Sequence, residues 1–168
     1  GKAIRFKESD VRVMGRTAAG VRGIRLAEGQ RVVSLLVADD DAQVLTATEN
    51  GYGKRTPTSE YPVYGRGGQG VIGIQTSERN GELVGASLVR DEDEVILITN
   101  AGTLVRTEAE QISSVSRNTQ GVRLIRLGKD EKLVQLERVV RLACEEDPDA
   151  MVGEDGGVDV DEASPSED

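Results

Sequence analysis

Arginine recurs in this chain at a fixed interval. Arg5, Arg55 and Arg106 each stand four residues after a glycine, in GKAIRF from Gly1, GYGKRT from Gly51 and GTLVRT from Gly102. Arg16, Arg66 and Arg117 come fifteen residues after the same glycines, and Gly20, Gly70 and Gly121 follow four residues later, opening GVRGIR, GVIGIQ and GVRLIR. The interval is 50 and then 51 residues throughout. A guanidinium is a permanent cation whose planar fork of donors suits phosphate or carboxylate. Repeated once per unit along one edge, such cations can follow the evenly spaced phosphates of a nucleic-acid backbone. Lys54 beside Arg55 extends the candidate set, as do Gly67 and Gly68 beside Arg66, where missing side chains let phosphate approach backbone amides. Lys2, Arg12, Arg22 and Arg123 are secondary candidates. A structural ion pair made in every unit would produce the same recurrence. Gly20, Gly70 and Gly121 read first as sharp turns or close approaches at the start of an inner strand.

Other chemistry finds little support. The chain has no His and a single Cys, Cys144, which removes the commonest zinc ligand and any internal disulfide. Tyr52, Tyr61 and Tyr64 lack an accompanying base or metal-binding carboxylate set, so no nucleophile is expected. The acidic runs at 39–41 and 91–94 do not follow an EF-hand pattern and read as solvated turns. No catalytic constellation, cofactor site or metal site is expected.

The elements that must position the arginines are strands. Aromatic residues make up 2% of the 168 residues and there are 20 glycines, so Val, Ile and Leu must build the core of an all-β fold. RVVSLLV and QVLTAT flank the first acidic run, LVGASLV and EVILIT the second, and each couple reads as a strand pair joined by a turn. Asn50-Gly51 and Asn100-Ala101-Gly102 then turn the chain into the arginine-bearing strand. With the GVxxI strand, each unit holds four strands, the size of a propeller blade that relies on its neighbours for burial. Three units, about 1–50, 51–101 and 102–142, form an arc of a larger array. A start at Gly1 suggests a piece of a longer protein. No stretch approaches a membrane span, and the start lacks a secretory signal.

Charge divides the chain in two. All 21 Lys and Arg lie within residues 1–142 against 19 acidic residues, whereas 143–168 contain 11 acidic residues and no basic one. The net charge of −9 therefore belongs to the end of the chain. Residues 143–168 combine like charge with Gly, Pro and Ser and too few large apolar side chains to offset ordering entropy, and are expected to form a disordered acidic tail.

The segments IRFKESDVRVMG, GVRGIRL, LTATENGYGKRT, ITNAGTLVRT and SRNTQGVRLIRL resemble the C-terminal domain of bacterial DNA gyrase A, over roughly residues 1–142. That resemblance implies a β-pinwheel, a propeller whose blades exchange strands. It also implies an outer rim that binds and bends double-stranded DNA in support of ATP-dependent negative supercoiling. The partners implied are the rest of gyrase A, together with gyrase B, in a heterotetramer, in the bacterial cytoplasm near the nucleoid, with ATP and Mg2+ acting elsewhere in the holoenzyme. No membrane or small-molecule substrate is implied. The family's box QRRGGKG is not present as such; Gly65 to Gly70, GRGGQG, is its nearest counterpart, with Gln69 in place of Lys. Two rival readings are the related domain of topoisomerase IV and a protein-binding propeller, although the latter calls for an apolar or aromatic rim that this sequence lacks.

An attached polyanion at millimolar effective concentration competes with DNA for basic side chains. Truncation after Leu142 is expected to raise DNA affinity at low salt, with the gain shrinking as salt screens the attraction. Equal affinities of the full and truncated chains across a salt series would leave the tail a solubilising segment only.

Overall fold

The computed structural model describes residues 1–140, and the expected acidic tail lies outside them. The described residues contain nine strands, three short 3-10 turns and no α-helix. The strands are β1 (Lys2–Ala3), β2 (Gln43–Thr48), β3 (Tyr52–Pro57), β4 (Val71–Ile72), β5 (Leu83–Val89), β6 (Glu94–Thr99), β7 (Leu104–Glu108), β8 (Val122–Arg123) and β9 (Leu133–Val139).

Two antiparallel hairpins anchor the repeat. In β2–β3 Leu45 faces Arg55, and in β6–β7 Ile96 faces Arg106. The Asn50-Gly51 turn closes through the Gly51 N–H donating to the Thr48 carbonyl at 2.9 Å, as its sequence predicts. Each arginine strand then runs into a one-turn 3-10 segment, Thr58–Glu60 after β3 and Ala109–Gln111 after β7; Glu8–Asp10 is the counterpart after β1.

The pairing beyond the hairpins corrects the expectation from sequence. The strands flanking an acidic run do not pair with each other. Instead β5 pairs with β2 and β9 pairs with β6, so the acidic turn between β5 and β6 crosses from one blade to the next. The short GVxxI strand crosses the other way. β8 joins the free edge of β3, with Tyr52 opposite Arg123, and β4 joins β1, with Lys2 opposite Ile72. The four-stranded sheet, in the order β5-β2-β3-β8, is thus assembled from three successive sequence units.

This exchange explains a second difference. Residues 31–37, expected as a strand, form no strand pairing among the described residues, although Ser34 Oγ accepts from the Ala86 N–H of β5 at 2.9 Å, and Leu35 and Val37 are 90% and 89% exposed. Their counterparts β5 and β9 each pair with the first strand of the preceding hairpin, and no described residue supplies that strand to the first unit.

The core draws from the four-stranded and the three-stranded sheets. Leu45, Ala47 and Val89 from one blade meet Val95, Leu97, Leu133 and Leu136 from the next, with Ala109, Ile112 and Ile125 from the connections. Fully burying a Leu or Val of this set contributes about 1.5–3 kcal/mol. Because the apolar faces meet across blades, neither blade buries its own.

Gly70 and Gly121 permit the strand transfer. Both have positive φ, +69° and +77°, and a Cβ would collide with the carbonyl oxygen of Ala3 or Gly53 in the receiving blade. Their steric reading is therefore the one the geometry supports. Gly121→Ala is expected to cost on the order of 3 kcal/mol, combining left-handed strain with a backbone clash. Gly15→Ala, in open space, is expected to stay within about 0.5 kcal/mol. Urea unfolding of the two variants checks this; equal midpoints would remove the close approach from the account.

Candidate nucleic-acid interface

The repeated basic residues divide into an inner and an outer set. Arg5 and Arg55 make the same kinds of contact one unit apart, an acidic-crossover carboxylate and carbonyls in or next to the following 3-10 turn. The Arg55 guanidinium donates from Nε to the Ile112 carbonyl at 2.7 Å and from Nη2 to the Glu110 carbonyl at 3.2 Å, and it pairs with Asp91. Arg5 donates to the Thr58 carbonyl at 3.1 Å and pairs with Asp40 at 2.7 Å. Each thus ties the 3-10 turn of the following unit to the acidic crossover that ends its own. Arg106 pairs with the largely buried Glu94, Nε to Oε2 at 2.6 Å.

Lys54 and Arg55 are buried, so neither is a solvent-facing phosphate contact here. The Lys54 ammonium donates to the carbonyls of Ser116, at 2.7 Å, and Arg117, and to the Thr119 hydroxyl at 3.1 Å. Desolvation by burial lowers its pKa to about 8, Glu60 opposing and Arg117 reinforcing the shift. The acidic crossovers receive cations from several elements. Besides Arg5 and Arg55, Arg90 pairs with Asp39 at 2.6 Å and Arg138 with Asp93 at 2.9 Å.

The outer set behaves differently. Arg66 donates to the carbonyls of Asp10 and Arg22 at 2.9 and 3.3 Å; Arg117 donates to those of Glu60 and Ile72 at 3.2 and 2.7 Å. Both arginines therefore hold the preceding unit by the same two places, its 3-10 turn and its GVxxI strand. The guanidinium acceptors are neutral carbonyls and neither side chain is in an ion pair among the described residues, although the Glu60 carboxylate stands beside Arg117 and accepts from its backbone N–H at 2.9 Å. A guanidinium has five N–H donors, which leaves some of them unspent. Arg16, at the same repeat position, is exposed. Gly67 has φ of +82° and donates its amide to the Gly23 carbonyl at 2.5 Å, while the Gly68 carbonyl accepts from the Arg25 amide at 2.8 Å. The Gly67 amide is therefore already engaged within the protein.

One basic cluster escaped the repeat analysis. Arg79 and Arg123 converge on Tyr52 and, with Arg126, line an open cleft. Arg79 sits outside the aligned segments, Arg126 ends the aligned GVRLIR without being a candidate from sequence, and Arg123 is a secondary candidate there. The paired arginines of GVRLIR were the signal available for two of the three.

Antiparallel blades of up to four strands that exchange strands, linked by arginines that reach from unit to unit, define a β-propeller of the pinwheel type. The chain belongs to the DNA gyrase C-terminal domain, beta-propeller, family, whose profile matches residues 1–39, 42–90 and 93–139. Those three segments meet at the acidic crossovers. The chain is 52% identical to DNA gyrase A of Pseudomonas aeruginosa over 99% of its length, and 57% identical to that of Escherichia coli over 91%. It spans 18% of either relative. Among solved structures, a DNA gyrase A C-terminal domain superposes with a TM-score of 0.76 at 30% identity, covering 83% of this chain and 48% of that one. The C-terminal domain of a DNA topoisomerase IV also gives 0.76, at 26% identity, covering 83% and 44%.

Lys54 provides a pH test of the buried contacts. Its folded pKa, about 8, lies below the unfolded value near 10.5. Between these values the unfolded state binds more protons, so stability rises with pH across that window. Urea unfolding at pH values spanning it should show a rise for the native sequence beyond that of Lys54→Met. Parallel pH dependences would show the ammonium to be solvated.

Proposed function

We propose that this chain binds and bends duplex DNA without sequence preference, as the DNA-wrapping part of a gyrase A protein, and so supports ATP-dependent negative supercoiling. The observation behind this reading is the outer arginine set. Arg66 and Arg117 are held by neutral carbonyls at equivalent places on successive units and form no ion pair among the described residues, which repeats a cation once per unit as contact with a bent phosphate backbone requires. Arg16 continues the series, and Arg106, with its side chain 63% exposed, adds a partly neutralised cation. Arg5, Lys54 and Arg55 act from within by fixing one unit against the next. Gly67 and Gly68 shape the loop that presents Arg66.

The named relatives favour gyrase over topoisomerase IV, since both curated relatives are gyrase A proteins at above 50% identity. The partners in this reading are double-stranded DNA, the remainder of gyrase A, and gyrase B, in the bacterial cytoplasm. ATP and Mg2+ would act on parts of that assembly outside this chain.

With three to four phosphates neutralised at roughly −0.9 each, duplex binding by the full chain should show a log-log salt slope of about −3 to −4. Fluorescence anisotropy with duplexes of unrelated sequence measures it. Placed in the corresponding segment of Escherichia coli gyrase A, the chain should support supercoiling of a relaxed plasmid. A flat salt response, or strong dependence on sequence, would overturn the reading.

A further inference from the structure

The cleft beside Tyr52 is lined by Tyr52, Arg79, Arg123, Leu124, Ile125 and Arg126 and has a volume of about 460 Å³. It contains three guanidiniums and no carboxylate. Arg79 lies with Cζ 4.9 Å from the centroid of the Tyr52 ring and Arg123 with Cζ at 5.5 Å, and Arg123 Nη2 donates to the Tyr52 hydroxyl at 3.0 Å. None of the ion pairs seen among the described residues involves these three arginines.

Two like charges converging on one ring repel each other. The quadrupole of the ring offsets part of that repulsion, and cation–π contacts of this kind are worth about 0.5–1 kcal/mol at exposed sites. The remainder is left for an anion to relieve. Tyr52 itself is buried and set in the sheet, so it holds its partners in fixed positions. The cluster also depends on strand exchange. Tyr52 opens β3, Arg123 sits opposite it on the transferred strand β8, Arg126 follows that strand, and Arg79 comes from the connection before β5. Repeat alignment places Lys2 and Thr103 where Tyr52 stands, and Ile72 where Arg123 stands in the second unit. The junction of β3 with β8 is therefore chemically unlike that of β1 with β4.

We infer that Tyr52, Arg79, Arg123 and Arg126 form a preorganised seat for a phosphodiester of the DNA backbone, separate from the repeated outer arginines. This rests on the DNA-binding reading above and adds a contact to it. A phosphate in the cleft accepts from the forked donors of the guanidiniums, as arginine does at phosphate sites generally. The seat presents no pattern of groups that would read a base, so it positions the duplex without selecting its sequence.

The test compares the full native chain with Arg79→Ala/Arg123→Ala/Arg126→Ala on one duplex over a salt series. The variant is expected to lose about tenfold or more in affinity at low salt, and its log-log slope to become shallower by about 0.9 for each phosphate no longer neutralised. Should the triple variant fail to fold by circular dichroism, Arg126→Glu alone, at an exposed position, is expected to show the same direction of change. A steep native slope that these variants leave unchanged would overturn the seat and spare the DNA-binding reading. Absence of salt-dependent binding by the native chain would instead overturn that reading, and the seat with it. Inorganic phosphate, compared with chloride at equal ionic strength, is expected to compete no better for the site. Saturable displacement of the duplex by phosphate alone would assign the seat to a free anion and overturn the duplex as its occupant.

Discussion

Each unit of this domain donates cations to backbone carbonyls of a neighbouring unit, and the rest of the architecture depends on that contact. Arg55 and Lys54 reach forward into the loop that precedes β8; Arg66 and Arg117 reach back to the unit before. Most of the carbonyls concerned lie in 3-10 turns and irregular connections, and one, that of Ile72, lies on the short strand β4. A buried carbonyl without a donor costs about 1–3 kcal/mol. By supplying the donors from the adjacent unit, the chain makes the satisfaction of its loops conditional on blade docking. Folding and assembly of the array thereby become one event, as expected for repeats that bury their apolar faces only against each other.

The same arrangement separates two uses of one side chain. Where the acceptor set includes a carboxylate, as for Arg5 with Asp40 and Arg55 with Asp91, the charge is spent inside the protein. Where the acceptors are carbonyls alone, as for the Arg66 guanidinium, geometry is fixed and charge is retained. A rigid surface cation loses less conformational entropy on meeting a phosphate than a free one does. The acidic crossovers thus act as counterions for one set of arginines and form no ion pair with the other, which an average over the composition conceals.

Strand exchange also makes the junctions unequal. The transferred strand has only two paired residues, yet it places side chains of one unit directly against those of another. Tyr52 with Arg123 at one junction and Lys2 with Ile72 at the other show how different residues within one repeated frame create local chemistry. A repeat frame supplies spacing; the residues brought together across a junction supply the affinity of each site.

Much of this was legible in the sequence. The 50- and 51-residue intervals, the scarcity of aromatic residues and the Asn-Gly turn together determine an all-β repeat with hairpins, because turn chemistry and alternation act over a few residues. The close-packing glycines were legible too, since Gly70 and Gly121 recur where no Cβ fits. What the sequence does not determine is which strands pair across the acidic runs. Adjacency along the chain favours a hairpin, whereas the structure transfers β5 and β9 to the preceding first strands, a choice made by apolar faces that meet only when blades stack. The fate of each arginine was likewise decided in three dimensions. Arg5 and Arg66 recur with equal regularity, and the difference between a neutralised strut and an exposed cation lies in acceptors 35 to 56 residues away, which spacing alone does not reveal.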